Sequence, residues 1–206
     1  MRKIQDHYFQ KARKDKYPAR SVYKLEEAQK KHRFLKTGDK VLDLGCHPGS
    51  WSMYAAKIIG ANGRVVGVDL QASAHPAVKG GAPITLLQGD ICDPGVIEVL
   101  DAKGPFHAVV SDMAPKTTGN KFSDHVRSVE LSHNALTIAS QVLIQGGNFY
   151  CKVFQGEDFQ SFVVEVKKLF RQVKIIKPKS SREESREVFV LGVGYRGKTE
   201  ISGGLK

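Results

Sequence analysis

The sequence predicts an α/β protein built on one doubly wound, mostly parallel sheet, and three observations carry that prediction. From residue 40 onward, short apolar runs alternate with segments whose apolar residues recur at helical spacing. Four successive apolar runs carry an aspartate at or near their carboxyl ends, as strands feeding one common rim would. The chain is 206 residues long and 41% hydrophobic, enough for one good core. A single domain over residues 1–206 is expected, with 1–39 as a basic helical extension and 197–206 as a frayed tail.

The strands expected in order are Lys40–Leu44, Arg64–Asp69, Ile84–Leu87, Ala108–Ser111, Asn148–Phe154, Val173–Ile176 and Glu187–Gly192. Between them the helical spacing marks Trp51–Ile59, Gly95–Leu100, Val126–Leu143 and Phe159–Phe170, and a further helix, about Ala19 to Lys31, precedes the first strand. Strands separated by helices pair in parallel, with helices on both faces of the sheet. Only about ten residues separate the last two strands, too few for a helical crossover, so these two pair as an antiparallel hairpin. A seven-stranded parallel sheet ending in one reversed strand is the architecture of Rossmann-like methyltransferases.

Charge is segregated along the chain. Residues 1–40 hold 13 Lys/Arg against 5 Asp/Glu, residues 41–166 hold 8 against 12, and residues 167–206 hold 11 against 4, within a net charge of +11. Two basic ends brought to one side would form a surface suited to a phosphate backbone. Neither end shows an amphipathic helix with bulky apolar anchors, which argues against an anionic membrane. No apolar run reaches the roughly 18 residues of a membrane span, and Met1 to Lys16 is not a secretory signal. Cys46, Cys92 and Cys151 are odd in number and widely spaced, so free thiols in a reducing cytoplasm are expected, with no metal site and no disulfide framework.

In open α/β sheets, ligands sit beyond the carboxyl ends of the strands. Those ends read Asp43-Leu-Gly45-Cys-His-Pro48-Gly49-Ser-Trp51, then Asp69, Asp90 and Asp112. The glycines let the backbone approach a ligand and turn sharply into a helix. GxGxxG and a P-loop are both absent, and an acidic rim repels a pyrophosphate. S-adenosylmethionine, with its sulfonium, ammonium, ribose diol and adenine, fits such a rim. Asp69 is placed to receive ribose hydroxyls, Asp90 to meet the adenine edge, and the Gly45 to Gly49 backbone to lie beside the methionine moiety. A helix N-cap is the plain alternative for any one of these aspartates.

Tyr23-Lys24-Leu25, Ser111-Asp112-Met113-Ala114-Pro115, Lys152-Val153-Phe154-Gln155-Gly156-Glu157 and Ser185-Arg186-Glu187-Val188-Phe189 form a set. With them, the sequence from about Lys16 to Tyr195 closely resembles the FtsJ/RrmJ family of ribosomal RNA 2′-O-methyltransferases. The resemblance implies a catalytic tetrad at Lys24, Asp112, Lys152 and Glu187, and cofactor contacts at Gly49, Trp51, Asp69, Asp90 and Asp112. It implies S-adenosylmethionine as cofactor and a ribose in large-subunit ribosomal RNA, expected to be a uridine's, as substrate, worked on by a cytoplasmic monomer. One turn departs: many relatives read Ala-Pro-Gly-Gly-Trp where this chain reads His47-Pro48-Gly49-Ser50-Trp51. Relatives acting on transfer RNA often carry serine there, so transfer RNA is the alternative substrate, and a non-catalytic RNA-binding assembly factor is the alternative from another class.

The chemistry suits these residue types. A ribose hydroxyl is a poor nucleophile until its proton is lost or polarised, whereas a sulfonium methyl is already activated, so alignment and proton management are what remain. Lys152 is the expected group for the hydroxyl, oriented by Asp112, with Lys24 and Glu187 flanking the ribose. Lysine ordinarily titrates at about 10.4, too high for a base at neutral pH. A cation at ~4 Å would lower this by roughly three units, while Asp112 and Glu187 push the other way. A lysine inside an apolar strand also demands a partner.

Overall fold

The computed structural model describes residues 2–73, 77–115, 118–182 and 184–197. Most of the tail expected to fray, residues 198–206, lies outside them. Two helices, α1 (Arg2–Lys14) and α2 (Val22–His32), precede β1 (Lys40–Leu44), α3 (Ser50–Ile59), β2 (Arg64–Asp69), β3 (Ile84–Gln88), α4 (Pro94–Lys103) and β4 (Phe106–Ser111). Then follow α5 (Lys121–Val142), β5 (Leu143–Phe154), α6 (Phe159–Leu169), β6 (Phe170–Ile176) and β7 (Glu187–Tyr195). The strands form one sheet in the order β3-β2-β1-β4-β5-β7-β6, parallel except for β7.

The reversed strand, last in the chain, lies inside the sheet between β5 and β6 and is antiparallel to both. Its apolar run explains the place. Val188 and Val190 pack into the layer under α4, α5 and α6, while Phe189 and Leu191 pack under α2 and α3. A strand buried on both faces belongs in the interior, and the edge falls to β6, where four of seven residues are exposed.

Period-two alternation assigns most of the buried strand residues to one of these two layers. Val41, Val110 and Tyr150 face α2 and α3, whereas Leu42, Leu44, Val109, Phe149 and Val153 face α5 and α6. By the same alternation Lys152 and Glu187 share the face of Tyr150 and Phe189. Antiparallel pairing sets Glu187 opposite Phe154, so the start of β7 and the end of β5 meet at one rim.

Helix boundaries shift where capping side chains act. Helix α5 begins at Lys121, five residues before the apolar spacing starts, because the Asn120 side chain accepts from the Phe122 and Ser123 amides. Asp93 does the same for Gly95 and starts α4 at Pro94. The N-terminal segment consists of the two helices α1 and α2. Ala12 is buried, Tyr8 rests on Tyr23, and the Lys11 ammonium sits 4.1 Å from the Tyr23 ring centroid, fixing α1 on α2.

Candidate active site

The four tetrad positions converge at the carboxyl rim of the sheet. Lys24 comes from the first turn of α2, Asp112 from just past β4, Lys152 from near the end of β5, and Glu187 from the first residue of β7. Lys24 Nζ lies 2.8 Å from Glu187 Oε2 and 3.6 Å from Asp112 Oδ1. Lys152 Nζ lies 3.0 Å from the same Asp112 oxygen, but its hydrogen bond is directed at the Asp112 main-chain carbonyl. Asp112 thus stands between two lysines and orients one of them with its backbone. Burial alone would pull the Lys24 ammonium down, but Asp112 and Glu187 outweigh it and hold it above the ordinary lysine value. Lys24 is therefore not a solvated helix lysine.

Residues without a motif hold this cluster in place. The Tyr150 hydroxyl donates to the Lys24 carbonyl, and Lys177 donates to the carbonyls of Ser185 and Glu187. On α2, the Glu27 carboxylate accepts the amides of Lys179 at 2.7 Å and Ser180 at 3.0 Å, clamping the β6–β7 loop onto the helix. Glu27 is one turn from Lys24, so the clamp and the Lys24–Glu187 pair reinforce each other. Only Tyr150 carried a usable signal, since alternation sets it on the face of Lys152.

The expected cofactor residues Gly45, Gly49, Asp69 and Asp90 sit at the carboxyl ends of β1, β2 and β3 or on the loops that follow them. Gly45 has φ 75° and passes so close to Met113 that a Cβ would collide with it; Gly49 has φ 104° and caps α3. The Asp69 carboxylate accepts the amides of His47 at 3.0 Å and Gln71 at 2.8 Å, and Asp90 accepts that of Cys92 at 2.9 Å. Both shape the loops on which they sit, and a carboxylate with one or two such bonds keeps lone pairs for a ligand. Beside Asp69, a pocket is lined by Cys46, Gln71, Ala72, Ser73, Leu86, Leu87 and Gln88, apolar walls with polar edges.

Two residues stand differently from the sequence reading. Asp43 is 1% exposed and not on the rim: alternation turns it under α3, where one oxygen accepts from the Ser52 hydroxyl at 2.6 Å and the other has no partner. Burial pushes its carboxyl up to about 7, against the Ser52 hydrogen bond and with help from Asp112 and Asp69. Trp51 is 3% exposed; its indole stacks on Tyr150 and donates to the Ser21 carbonyl at 2.9 Å.

No helix among the described residues is long and apolar enough to cross a membrane. The model of the FtsJ-like methyltransferase family matches residues 17–195. A ribosomal RNA large subunit methyltransferase E from Desulfotalea psychrophila is 55% identical over 197 residues, which is 95% of this chain and 98% of the relative. The protein of the same name from Oleidesulfovibrio alaskensis is 47% identical over 98% of this chain and 97% of its own. Among solved structures, a Plasmodium falciparum protein described as a ribosomal RNA methyltransferase superposes with a TM-score of 0.75 at 26% identity, covering 88% of this chain and 100% of that one. Aeropyrum pernix fibrillarin, solved with S-adenosyl-L-methionine bound, shares the fold with a TM-score of 0.60 at 19% identity, over 84% of this chain and 76% of its own. A charged cluster drawn from both ends of the chain and a match that runs between those same ends lead to one assignment: this enzyme belongs to the FtsJ-like methyltransferase family.

Proposed function

We propose that the protein transfers the methyl group of S-adenosylmethionine to a ribose 2′-hydroxyl, a uridine's, in large-subunit ribosomal RNA. The observation that carries this reading is the closed contact of Lys24, Asp112, Lys152 and Glu187 beside an acidic groove. The names of the large-subunit methyltransferases it resembles support the substrate and a cytoplasmic place of action on the ribosome.

The groove suits the cofactor on its own chemistry. Gly45 lets the chain turn past Met113, where a Cβ would strike it, and the carboxylates of Asp69 and Asp90 favour a cation with a diol. S-adenosylmethionine supplies an activated methyl group, so the protein's task is alignment. Asp69 would receive the ribose diol, Asp90 the adenine edge, and the Gly45–Gly49 backbone the methionine moiety. In the tetrad, Lys152 has donors left beyond those directed at Asp112, and it uses them to hold and polarise the 2′-hydroxyl oxygen, whose proton passes to water as the methyl group is transferred. Asp112 fixes that lysine, and Lys24 with Glu187 fixes the ribose from the other side.

Incubating the protein with S-adenosylmethionine and ribosomal RNA, then mapping 2′-O-methyl groups, tests the reading. Methylation of one uridine of the large-subunit RNA is expected. Methylation of transfer RNA alone, or of no ribose at all, would overturn it.

A further inference from the structure

The tetrad accounts for the ribose and the groove for the methyl donor, but neither explains the N-terminal turn of α5. Phe122 is 66% exposed there, and Val126, one turn on and on the same face, is 41% exposed. Lys121 and Arg127, both exposed, flank this apolar strip on either side of the helix. The turn is rigidly built. Asn120 caps it, and buried Asp124 accepts from the Thr118 amide, the Thr118 hydroxyl and the Gly119 amide. An exposed phenylalanine on a pre-ordered turn loses little freedom when it binds.

Its position adds to this. Helix α5 follows β4, so its first turn stands at the carboxyl rim, on the sheet face opposite α2. Arg186, the residue before Glu187, reaches across with its guanidinium 3.5 Å from the Lys121 carbonyl, while its own carbonyl accepts from the Gln155 amide. Phe122 therefore borders the tetrad from the side away from the basic N-terminal helices, with Lys121, Arg127 and Arg186 around it. An apolar protein partner is poorly matched by an aromatic ring set among three cations. A nucleobase with its phosphates matches both features.

We propose that Phe122 is a stacking platform for a base next to the target ribose, and that Lys121, Arg127 and Arg186 contact the phosphates beside it. This inference rests on the reading of the enzyme as an RNA methyltransferase and extends it to a flanking nucleotide. The RNA strand then crosses the rim from the α1–α2 side, over the tetrad, to α5.

Phe122→Ala should weaken binding of a short single-stranded oligouridylate about five- to a hundredfold and raise the KM for RNA in parallel. S-adenosylmethionine affinity should be unchanged, and the salt dependence of RNA binding should keep the parent's slope because no charge is lost. Lys121→Ala should lower that slope by about 0.7. Phe122→Trp should restore affinity, and its fluorescence should be quenched by an oligonucleotide carrying 2-aminopurine. Parent-like Kd and KM in Phe122→Ala overturn the platform. So does a defect seen only on assembled ribosomal subunits and never on naked RNA, which would make the strip a protein contact. If the parent protein methylates no RNA ribose, the underlying reading fails instead, and the tryptophan quench still decides whether a base stacks at this position.

Discussion

Lys24 and Glu187 are 163 residues apart in the chain, yet their side chains meet at 2.8 Å. The ion pair is largely shielded, with side-chain exposures of 12% and 11%, and Asp112 completes it from the centre of the sheet. Such a pair closes the site only when the first helices and the last strand have both found their places. Removing either partner would leave a shielded charge without its counterion, which is costly. The site is therefore a product of the finished fold and not of one local segment.

Lys152→Ala should abolish methyl transfer while leaving S-adenosylmethionine affinity within a few-fold of the parent. Lys152 faces the proposed position of the hydroxyl, and Asp69 and Asp90 stand on a different wall. Turnover and cofactor binding, measured on the same preparation, test this. Near-normal turnover would remove Lys152 from the chemistry.

Asp69→Ala should weaken S-adenosylmethionine binding by roughly ten- to a hundredfold, the range for losing hydrogen bonds to a charged acceptor. Because Asp69 also accepts from His47 and Gln71, Asp69→Asn is the sharper variant. The two loop amides donate to different Asp69 oxygens, so the amide of asparagine keeps one of those bonds where alanine keeps neither, and it loses the charge for the ligand. Isothermal titration of both variants separates loop shaping from ligand contact, and an unchanged Kd in both excludes Asp69 from the site.

Much of this was legible in the sequence because alternation is a strict rule. Once Tyr150 is read as core, Lys152 must share its face, and the apolar run Val188–Leu191 announces an interior strand. Motif strings then supply Lys24 and Asp112. What escaped depends on distance in the chain. Nothing near Glu27 shows that it will accept the amides of Lys179 and Ser180, and nothing near Lys177 shows that it will tie Ser185 to Glu187. Strand position alone puts Asp43 on the rim, but its parity with Val41, which faces α3, sends it inward. The start of α5 is hidden in the sequence because an asparagine cap precedes the apolar period that reveals the helix.

Asp43 should make stability depend on pH between about 4 and 7. Its carboxyl is raised from 3.8 to about 7 in the folded state, so folding favours the protonated form. The sign follows from linkage: this contribution is fully present below the unfolded value and is lost as pH rises through the folded one. The rise corresponds to roughly 4 kcal/mol. Asp43→Asn carries no titrating group, so the parent should lose stability relative to this variant as pH climbs from 4 to 7. Urea unfolding of both across that range measures it, and parallel curves would refute it.

Glu27→Ala should loosen the β6–β7 loop and destabilise the protein by ~2 kcal/mol, since two backbone amides lose a charged acceptor. Hydrogen exchange at Lys179 and Ser180 should quicken. The KM for RNA should rise, because Glu187 and the loop's basic residues lose their brace, while S-adenosylmethionine affinity holds. Protection at both amides equal to the parent's would show that the clamp contributes nothing.

The last prediction concerns the basic track. Arg13, Lys14 and Lys16 are exposed and Arg20 is half-buried, all leading into α2, while Lys179, Arg182 and Arg186 are exposed in the β6–β7 loop. The Glu27 clamp joins α2 to that loop, and the Lys24–Glu187 pair joins them again at the tetrad. Two basic segments separated by most of the chain thus border one site. Each phosphate contact contributes a slope of about −0.7 in log K against log salt for single strands. Replacing Arg13, Lys14, Lys16 and Arg20 together with glutamine should flatten the slope by up to roughly three. Cofactor binding should stay unchanged, because these side chains precede the groove. A plain solubility role for the same charges predicts otherwise: RNA affinity and salt slope would match the parent's, and only aggregation at low salt would increase. Equilibrium RNA binding at several salt concentrations, run beside light scattering, separates the two.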